Sequence, residues 1–339
     1  MIIPVLWFIV GLALLIKGGD WFVDGATGIA HRFHIPELLI GATVVSIGTT
    51  LPEVMVSATS ALSGHGEMAY GNALGSIICN TALIAALTVT LRPSGVDRKA
   101  LRLPVIFFFG SLAFYATAAY VFGGFERWVG GVLLLIFLAY VTVSIIGARK
   151  QPSAELLTAE DIPEGDCDQT SGEETDETKS SRWGLVKEII FLVIGAAFIA
   201  VGADLLVDNG TIIAGALGVP ESVIAMTVIA LGTSLPELAT AITSIVKGHG
   251  ALSLGNVIGA NIFNLVLVSG VASVLSPFAI PNNTQIAGIN TSLLVDIPVV
   301  ALVMAILTLP AIFRQKLSRA QGIVLLCVYA AFCVFQFAI

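Results

Sequence analysis

An internal repeat limits what this chain can fold into more than any other feature of its sequence. Residues 18–80 align without a gap to residues 202–264, and 27 of the 63 aligned positions are identical. Each copy carries a proline and a glutamate inside an apolar stretch, as GTTLPE at 48–53 and as GTSLPE at 232–237. Any fold must therefore accommodate the same unusual motif twice.

Apolar runs within and around the repeated segments are long enough to cross a bilayer. Because a spanning helix needs roughly 20 apolar residues, the sequence predicts ten spans in two groups of five. The composition agrees, since 56% of the residues are hydrophobic, only 12% are charged and the mean hydropathy is +0.96. The predicted spans are 2–26, 35–62, 68–91, 103–122, 128–147, 184–213, 219–246, 251–276, 291–312 and 320–338.

The odd number of spans in each group decides how the two copies are related. A second group of five enters the membrane from the opposite face, which makes the groups inverted repeats, an arrangement found in many secondary transporters with a site at the midplane. We therefore predict an all-α polytopic membrane protein of ten transmembrane helices, built as two inverted five-helix repeats with broken helices at the midplane. The repeats are residues 1–150 and 183–339, joined by a linker at 151–182.

Charge distribution predicts the orientation of the chain. Residues 151–181 hold ten acidic side chains and one lysine, a composition typical of a solvated tether; a regulatory Ca²⁺ site there is the less favoured alternative. Lys and Arg mark cytoplasmic loops, and the loops after odd-numbered spans hold 14 of them, whereas the opposite side holds only Arg127. Both termini are therefore expected outside a cell (cytoplasmic) membrane, with the linker in the cytoplasm.

Several other classes of protein are not favoured by the sequence. Outside 151–181 the chain has 13 acidic and 15 basic residues, so no nucleic-acid partner is predicted. The four cysteines show no CxxC and no zinc spacing with histidine, so neither a disulfide framework nor a zinc site is expected. No GxSxG or HExxH motif occurs, which disfavours an enzyme, and the inverted repeat favours alternating access over a passive channel.

The repeated hexapeptide combines residues that suit a hard cation. Its proline removes a helical hydrogen bond, so each copy is predicted to break its helix and to free carbonyl oxygens, which at membrane depth must face protein, water or an ion. Thr49 and Glu53 lie four residues apart on one helix face, and Thr233 and Glu237 repeat the spacing. Carboxylate, hydroxyl and carbonyl oxygens are the ligands that Ca²⁺ and Na⁺ prefer.

The span after each hexapeptide supplies further polar groups. Ser76 and Asn80 share one face of the third span, and Asn264 is the equivalent of Asn80 in the second copy. Glycines recur every four residues at 71, 75, 255 and 259, which permits close helix contact. Structural, interfacial or turn positions are predicted for the remaining polar residues of the spans: Glu37, Glu221, Asp20, Asp24, Asp204, Asp208, Asp296, His65 and His249, with ion entry as an alternative for the four aspartates of the first and sixth spans.

The motifs also carry a family resemblance. GTTLPE followed by GNALGSIICN, and GTSLPE followed by GNVIGANIFN, resemble the paired alpha-repeats of the calcium/cation antiporter superfamily, and most of all those of bacterial sodium/calcium exchanger-like proteins. The resemblance implies a secondary antiporter that exchanges Ca²⁺ for Na⁺ across the bilayer, without a cofactor or an obligate protein partner. The alternative is a Ca²⁺/H⁺ exchanger that protonates Glu53 and Glu237.

The same resemblance implies a set of ion ligands. Glu53 and Glu237 are the central acidic ligands that Ca²⁺ and Na⁺ would share. The other implied ligands are hydroxyl or carbonyl oxygens of Thr49, Thr50, Thr233 and Ser234, the backbone carbonyls of Ser46 and Ala230, and the side chains of Ser76, Asn80 and Asn264.

A few positions depart from the family pattern. Ala260 stands where a serine hydroxyl is common, so one Na⁺ site is expected to lack a ligand. Ile77 replaces a frequent asparagine, and Cys79 replaces a bulky aromatic residue. Asn264 stands where potassium-dependent relatives have aspartate, which leaves two carboxylates at the centre.

Overall fold

The computed structural model describes residues 2–148, 177–217, 232–281, 285–286 and 289–338. Within these ranges the chain is nearly all helical, with nine helices long and apolar enough to cross a membrane and one shorter apolar helix. The ten helices are α1 (Ile2–Arg32), α2 (Glu37–Leu62), α3 (Gly66–Leu91), α4 (Arg98–Phe122), α5 (Arg127–Ala148), α6 (Glu177–Ala216), α7 (Leu235–Val246), α8 (Gly250–Leu275), α9 (Ser292–Arg314) and α10 (Arg319–Ala338).

The predicted all-helical membrane fold is confirmed, and most predicted spans match a helix to within a few residues. The seventh span is predicted over 219–246, of which residues 219–231 lie outside the described part of the chain. The main difference is at the linker. Helix α6 begins at Glu177, inside the segment 151–182, because residues 177–183 contain no glycine or proline to stop a helix.

Helices α3 and α8 show the internal repeat most directly. Their bounds correspond residue for residue, and each changes from α- to π-helix at the repeated asparagine, over Asn80–Ala85 and over Asn264–Val268. Each is preceded by a GHG turn whose first glycine has positive φ, 81° at Gly64 and 92° at Gly248. The turn role predicted for the two histidines therefore agrees with the structure, since each immediately precedes its helix.

Short strand contacts tie the two repeats together outside the helices. Strand β1 (Gly124–Phe125) pairs antiparallel with β2 (Phe278–Ala279), which joins the loop after α4 to the loop after α8. A single bridge between Gly95 and Lys316 joins the loop after α3 to the loop after α9. A second hairpin, β3 (Gln285–Ile286) with β4 (Ile289–Asn290), lies in the α8–α9 loop.

The centre of the molecule is formed by α3 and α8, the most deeply buried of the long helices, and α1 and α6 lie at the periphery. The peripheral helices pack against each other along their length through small residues. A Cβ on Gly18 would lie 2.9 Å from the carbonyl oxygen of Gly195, and a Cβ on Gly11 equally close to that of Gly202. Arg32 and Glu188 close one end of this pair with a two-pronged ion pair at 2.9 and 3.1 Å.

Glycines also let α8 approach α2 closely, as their four-residue spacing predicted. Gly255 packs against the backbone of Leu38, and Gly259 packs against Ala42 and the Ser46 side chain. The contact brings the start of α2 against the middle of α8, next to the first hexapeptide. This side of the molecule is consequently closed by backbone-to-backbone packing.

A methyl group at Gly259 tests this packing. A Cβ there would lie 2.5 Å from Ala42 Cα and 2.6 Å from its carbonyl oxygen, so Gly259→Ala should lower stability by about 1–3 kcal/mol through overpacking. The measurement is the thermal unfolding midpoint of the purified protein in detergent. Gly110→Ala is the matched control, because no described residue lies within 4 Å of its Cβ position; equal midpoints for the two variants would contradict the close contact.

Candidate functional site

Glu53 and Glu237 are both completely buried, with 0% of each residue exposed. None of their four carboxylate oxygens meets a hydrogen-bond donor in good geometry among the described residues. The two side chains are close enough for the charge of Glu237 to act on Glu53. Burying an unpaired carboxylate is very unfavourable. The negative charge of the two carboxylates must therefore be neutralised by protons or by a bound cation.

The two hexapeptides meet at their prolines. A small cavity is lined by Gly48, Thr49 and Pro52 of the first copy and by Pro236 of the second. Thr49 also lies beside the carboxylate of Glu237. The structure thus brings together the two motifs that are separated by 184 positions in the sequence.

The two copies differ in backbone structure, which corrects one expectation. In the second copy the helix is interrupted at Thr233 and Ser234, and α7 begins at Leu235 with Pro236 in its first turn. In the first copy the α-helix runs through Pro52 from Ser46 to Leu62. A proline removes only one hydrogen bond, here to Gly48; a π-helical turn over Gly41–Val45 precedes this segment.

The asparagines of α3 and α8 add neutral polar groups to the same buried region. Asn80 and Asn264 are fully buried, and neither amide group has a hydrogen-bond partner in the described structure. Both stand at the first residue of a π-helical segment, a feature that is frequent at functional sites. A π-turn widens the helix locally, which leaves space beside these amides.

The predicted hydroxyl and backbone-carbonyl ligands fall into three groups among the described residues. Thr50 and Ser234 are buried and their hydroxyls find no partner within the described ranges. Ser76 and Thr233 line a cavity of about 420 Å³. Ser46 and Thr49 are buried and hydrogen-bonded to Asn256, with the Ser46 hydroxyl also donating to the Gly41 carbonyl at 2.7 Å. Ala230 lies outside the described residues.

Two asparagines that the sequence analysis did not single out join this network. Asn256 contacts Ser46, Thr49 and Thr240. Its repeat equivalent, Asn72, donates to the Ser57 hydroxyl at 2.8 Å and to the Glu53 carbonyl at 3.3 Å. The sequence does mark these two asparagines, because both belong to a Gly-Asn pair that is identical in the two copies. Hydrophobic periodicity does not reveal which residue a buried asparagine contacts.

A cavity on one side of the described structure reaches two of the predicted ligands. The 420 Å³ cavity runs along α3 and α10 and reaches Ser76 and Thr233. It shares Met68, Gly71 and Gln336 with an adjoining cavity of about 460 Å³ that is also lined by Glu67 and Asp296. At the other end of the molecule, a cavity of about 230 Å³ lined by Arg92, Ser253 and Leu317, among others, includes none of the predicted ligands that the structure describes.

Four of the remaining acidic residues have partners away from the centre, and Glu221 lies outside the described residues. Glu37 starts α2, as predicted, and its carboxylate lies 2.7 Å from His249 Nδ1. Lys247 reaches Asp24 at 2.8 Å and Asp20 at 3.5 Å, which fits the structural role predicted for these aspartates. Asp296 accepts a hydrogen bond from Gln336 at 3.0 Å.

The residue types at the centre differ from those of a transition-metal site. No group of three or more His, Cys, Asp or Glu side chains is placed to hold a metal among the residues that the structure describes. The central region instead combines two carboxylates with hydroxyl and amide groups. Such all-oxygen sets suit hard cations with flexible coordination, such as Ca²⁺ and Na⁺.

Buried charged groups at the contact of two inverted repeats define a class, that of the secondary membrane transporters. Comparison with protein families specifies it: the model described as "sodium/calcium exchanger protein" matches residues 3–146 and 187–338. The chain belongs to this family. The family and the fold are those of a transporter and not of an enzyme, and the relatives that match along most of the chain are bacterial and archaeal proteins.

Individual relatives agree with the assignment over nearly the whole chain. The sodium/calcium exchanger MaX1 of Methanosarcina acetivorans is 30% identical, over 98% of this chain and 97% of its own. The inner membrane protein YrbG of Escherichia coli is 34% identical, over 82% of this chain and 81% of its own. A solved structure of the sodium-calcium exchanger NCX_Mj, which has two inverted repeats, superimposes with a TM-score of 0.78 at 32% identity, covering 97% of both chains.

The unpartnered carboxylates predict that a cation stabilises the folded protein. A ligand that binds only the folded state at 100 times its dissociation constant adds about 2.7 kcal/mol. Saturating Ca²⁺ should therefore raise the thermal unfolding midpoint in detergent, relative to the same protein in a chelator, and Glu237→Gln should remove most of the shift. An equal shift for wild type and variant would mean that Ca²⁺ binds elsewhere.

Proposed function

We propose that this protein exchanges Ca²⁺ for Na⁺ across the membrane by alternating access, with Glu53 and Glu237 as the ligands that both ions share. One observation carries the proposal: each inverted repeat contributes one fully buried carboxylate, the two are close enough for the charge of one to act on the other, and neither has a hydrogen-bond donor in good geometry among the described residues. A dehydrated cation between them supplies the missing positive charge. The relatives MaX1 and NCX_Mj, which are sodium/calcium exchangers, support this choice of ions.

Neutral oxygens complete the proposed site. The hydroxyls of Thr50 and Ser234 and the side-chain carbonyls of Asn80 and Asn264 are buried without hydrogen-bond partners in the described chain, which supports their inclusion as ligands. They coordinate a cation without adding negative charge, which suits Na⁺. The proposed ligand set further includes Thr49, Thr233 and Ser76 and the backbone carbonyls of Ser46 and Ala230.

The charge count couples the two ion movements. One Ca²⁺ or two Na⁺ neutralise the carboxylate pair, whereas an empty pair keeps two unpaired charges in a region without water, which is unfavourable. The protein therefore closes and reopens mainly when loaded, which produces exchange in place of leak. An additional Na⁺ on the neutral oxygens makes each cycle move net charge, at about 2.3 kcal/mol per charge for every 100 mV.

The one-sided cavity supports the alternating-access part of the proposal. The cavity that reaches Ser76 and Thr233 lies along the N-terminal half of α3 and the C-terminal half of α10. With both termini outside, as the loop charges favour, that end of the molecule faces outward. The conformation then corresponds to an outward-open state in a cell membrane.

Exchange of Ca²⁺ for protons is the second candidate. Two buried carboxylates can be neutralised by two protons as well as by two Na⁺. Ala260, the repeat equivalent of Ser76, is completely buried and offers no hydroxyl, so one neutral ligand for Na⁺ is missing. The other hydroxyls and amides favour Na⁺, because a proton needs no cage of oxygens.

Charge-removing variants test the assignment of the carboxylates. Glu53→Gln and Glu237→Gln should each reduce Ca²⁺ uptake into proteoliposomes at least about a hundredfold, since contacts to a charged group are worth up to about 3 kcal/mol each. Glu126→Gln, in the exposed α4–α5 loop, is the matched control and should transport normally. Normal uptake by either site variant would remove that glutamate from the proposed site.

A gradient swap separates the two candidate functions. Proteoliposomes loaded with Na⁺ and diluted into Na⁺-free medium containing Ca²⁺ should take up Ca²⁺ at equal internal and external pH. A pH gradient without Na⁺ should give little uptake, because the neutral oxygens are arranged for a second metal cation. Uptake driven by the pH gradient alone would establish the proton-coupled function instead.

A further inference from the structure

Asn72 and Asn256 are equivalent residues of the internal repeat in different surroundings. Each uses its Nδ2 group in the same way, as a donor to a hydroxyl that lies just after the glutamate of its own repeat. Asn72 donates to Ser57 Oγ at 2.8 Å, and Asn256 donates to Thr240 Oγ1 at 2.8 Å. Both carboxamides are therefore anchored alike, and the two residues differ on the oxygen side.

The oxygen of Asn256 connects the two repeats. Asn256 Oδ1 accepts from Thr49 Oγ1 at 3.2 Å and lies 3.3 Å from Ser46 Oγ, and both residues belong to the first repeat. Asn256 and Thr49 are almost fully buried, at 1% and 2% exposure. Gly255 and Gly259 hold α8 against the start of α2 on either side of this contact.

This hydrogen bond determines how the Thr49 hydroxyl faces the carboxylates. A hydroxyl has one proton and two lone pairs, and Thr49 lies beside Glu237. When the proton is donated to Asn256, the lone pairs remain available for a cation. Without Asn256, the proton can turn to the carboxylate and compete with the cation for it.

The equivalent contact on the other side is not formed. Asn72 and Thr233 line the same 420 Å³ cavity, and both are partly exposed. No hydrogen bond to Asn72 Oδ1 or from the Thr233 hydroxyl occurs within the described part of the chain. Gly71 and Gly75, the equivalents of Gly255 and Gly259, line this cavity as well.

We propose that Asn256 and Asn72 are positioning residues that act in alternation, each holding the hydroxyl of the hexapeptide threonine of the opposite repeat when its own side of the protein is closed. Asn256 holds Thr49 in the conformation seen here, and Asn72 holds Thr233 in the conformation that opens the other side. Two inverted repeats exchange their roles between the outward-open and inward-open states. The hydrogen bond between Asn256 and Thr49 in one state therefore corresponds to a hydrogen bond between Asn72 and Thr233 in the other. The proposal rests on the proposed transport function.

The alternation links side opening to ion release. On the closed side the threonine proton is held away from the site, so the threonine is a good cation ligand. On the open side the threonine hydroxyl is free to turn, which weakens its bond to the cation next to the cavity. An ion is thus held less tightly on the side from which it can leave.

Two matched double-mutant cycles test the proposal. Asn256→Ala and Thr49→Ala should each raise the Ca²⁺ concentration for half-maximal uptake by about tenfold, and the double variant by about tenfold rather than a hundredfold, because the asparagine acts through the threonine. Asn72→Ala, Thr233→Ala and their double variant should behave in the same way. Asn209→Ala is the control: Asn209 is buried and bonds only to the Leu205 carbonyl of its own helix, so its half-maximal concentration should not change.

The outcomes separate this proposal from the transport function. Additive effects for Asn256 and Thr49 would overturn the positioning role, and additive effects for Asn72 and Thr233 would overturn the alternation. If wild type shows no Na⁺-driven Ca²⁺ uptake, the proposed function fails, and both cycles are then measured by equilibrium Ca²⁺ binding to the purified protein. Non-additivity there supports the positioning role, whereas additivity, or the absence of binding, overturns it.

Discussion

Two carboxylates buried side by side repel each other, and each loses its hydration. Glu53 and Glu237 are in this position, with no donor in good geometry among the described residues to replace the lost water. The surrounding hydroxyls and amides are likewise left without partners, although buried polar groups in proteins nearly always have them. The arrangement is therefore unfavourable for the protein alone, and in the function proposed above a bound cation supplies the missing interactions.

The surrounding helices fix the positions of these buried polar groups. Helices α3 and α8 are the most deeply buried of the long helices, α8 packs closely on Gly255 and Gly259, and the π-turns of both helices start at buried asparagines. The outer pair α1 and α6 is joined by glycine contacts and by the Arg32–Glu188 ion pair. Lys247 ties the end of α7 to Asp20 and Asp24 of α1, so the outer helices are connected to the helix that carries Glu237.

Near-identical hexapeptides in the two repeats do not have identical structures. The hexapeptide at Thr49 lies in a continuous helix in contact with Asn256, whereas the hexapeptide at Thr233 is broken and borders a cavity. Local sequence does not account for this difference, because the two motifs share five of six residues. A transporter of inverted repeats needs such asymmetry, since a fully symmetric arrangement would open to both sides or to neither.

The sequence by itself determined the membrane class, the ten helices, the inverted repeat and the identity of the two buried glutamates, because hydropathy, parity and repetition are local or additive properties. Hydropathy also predicted most helix bounds to within a few residues. The start of α6 at Glu177 was not predicted, because polar residues without glycine or proline continue this helix beyond its apolar part. Only the tertiary structure decided that Pro52 stays within a helix while the second copy is interrupted at Thr233 and Ser234, and that Asn72 and Asn256 organise the hydroxyls. These features depend on which groups from distant segments meet, and a hydrogen bond between residues 49 and 256 leaves no trace in the periodicity of either segment.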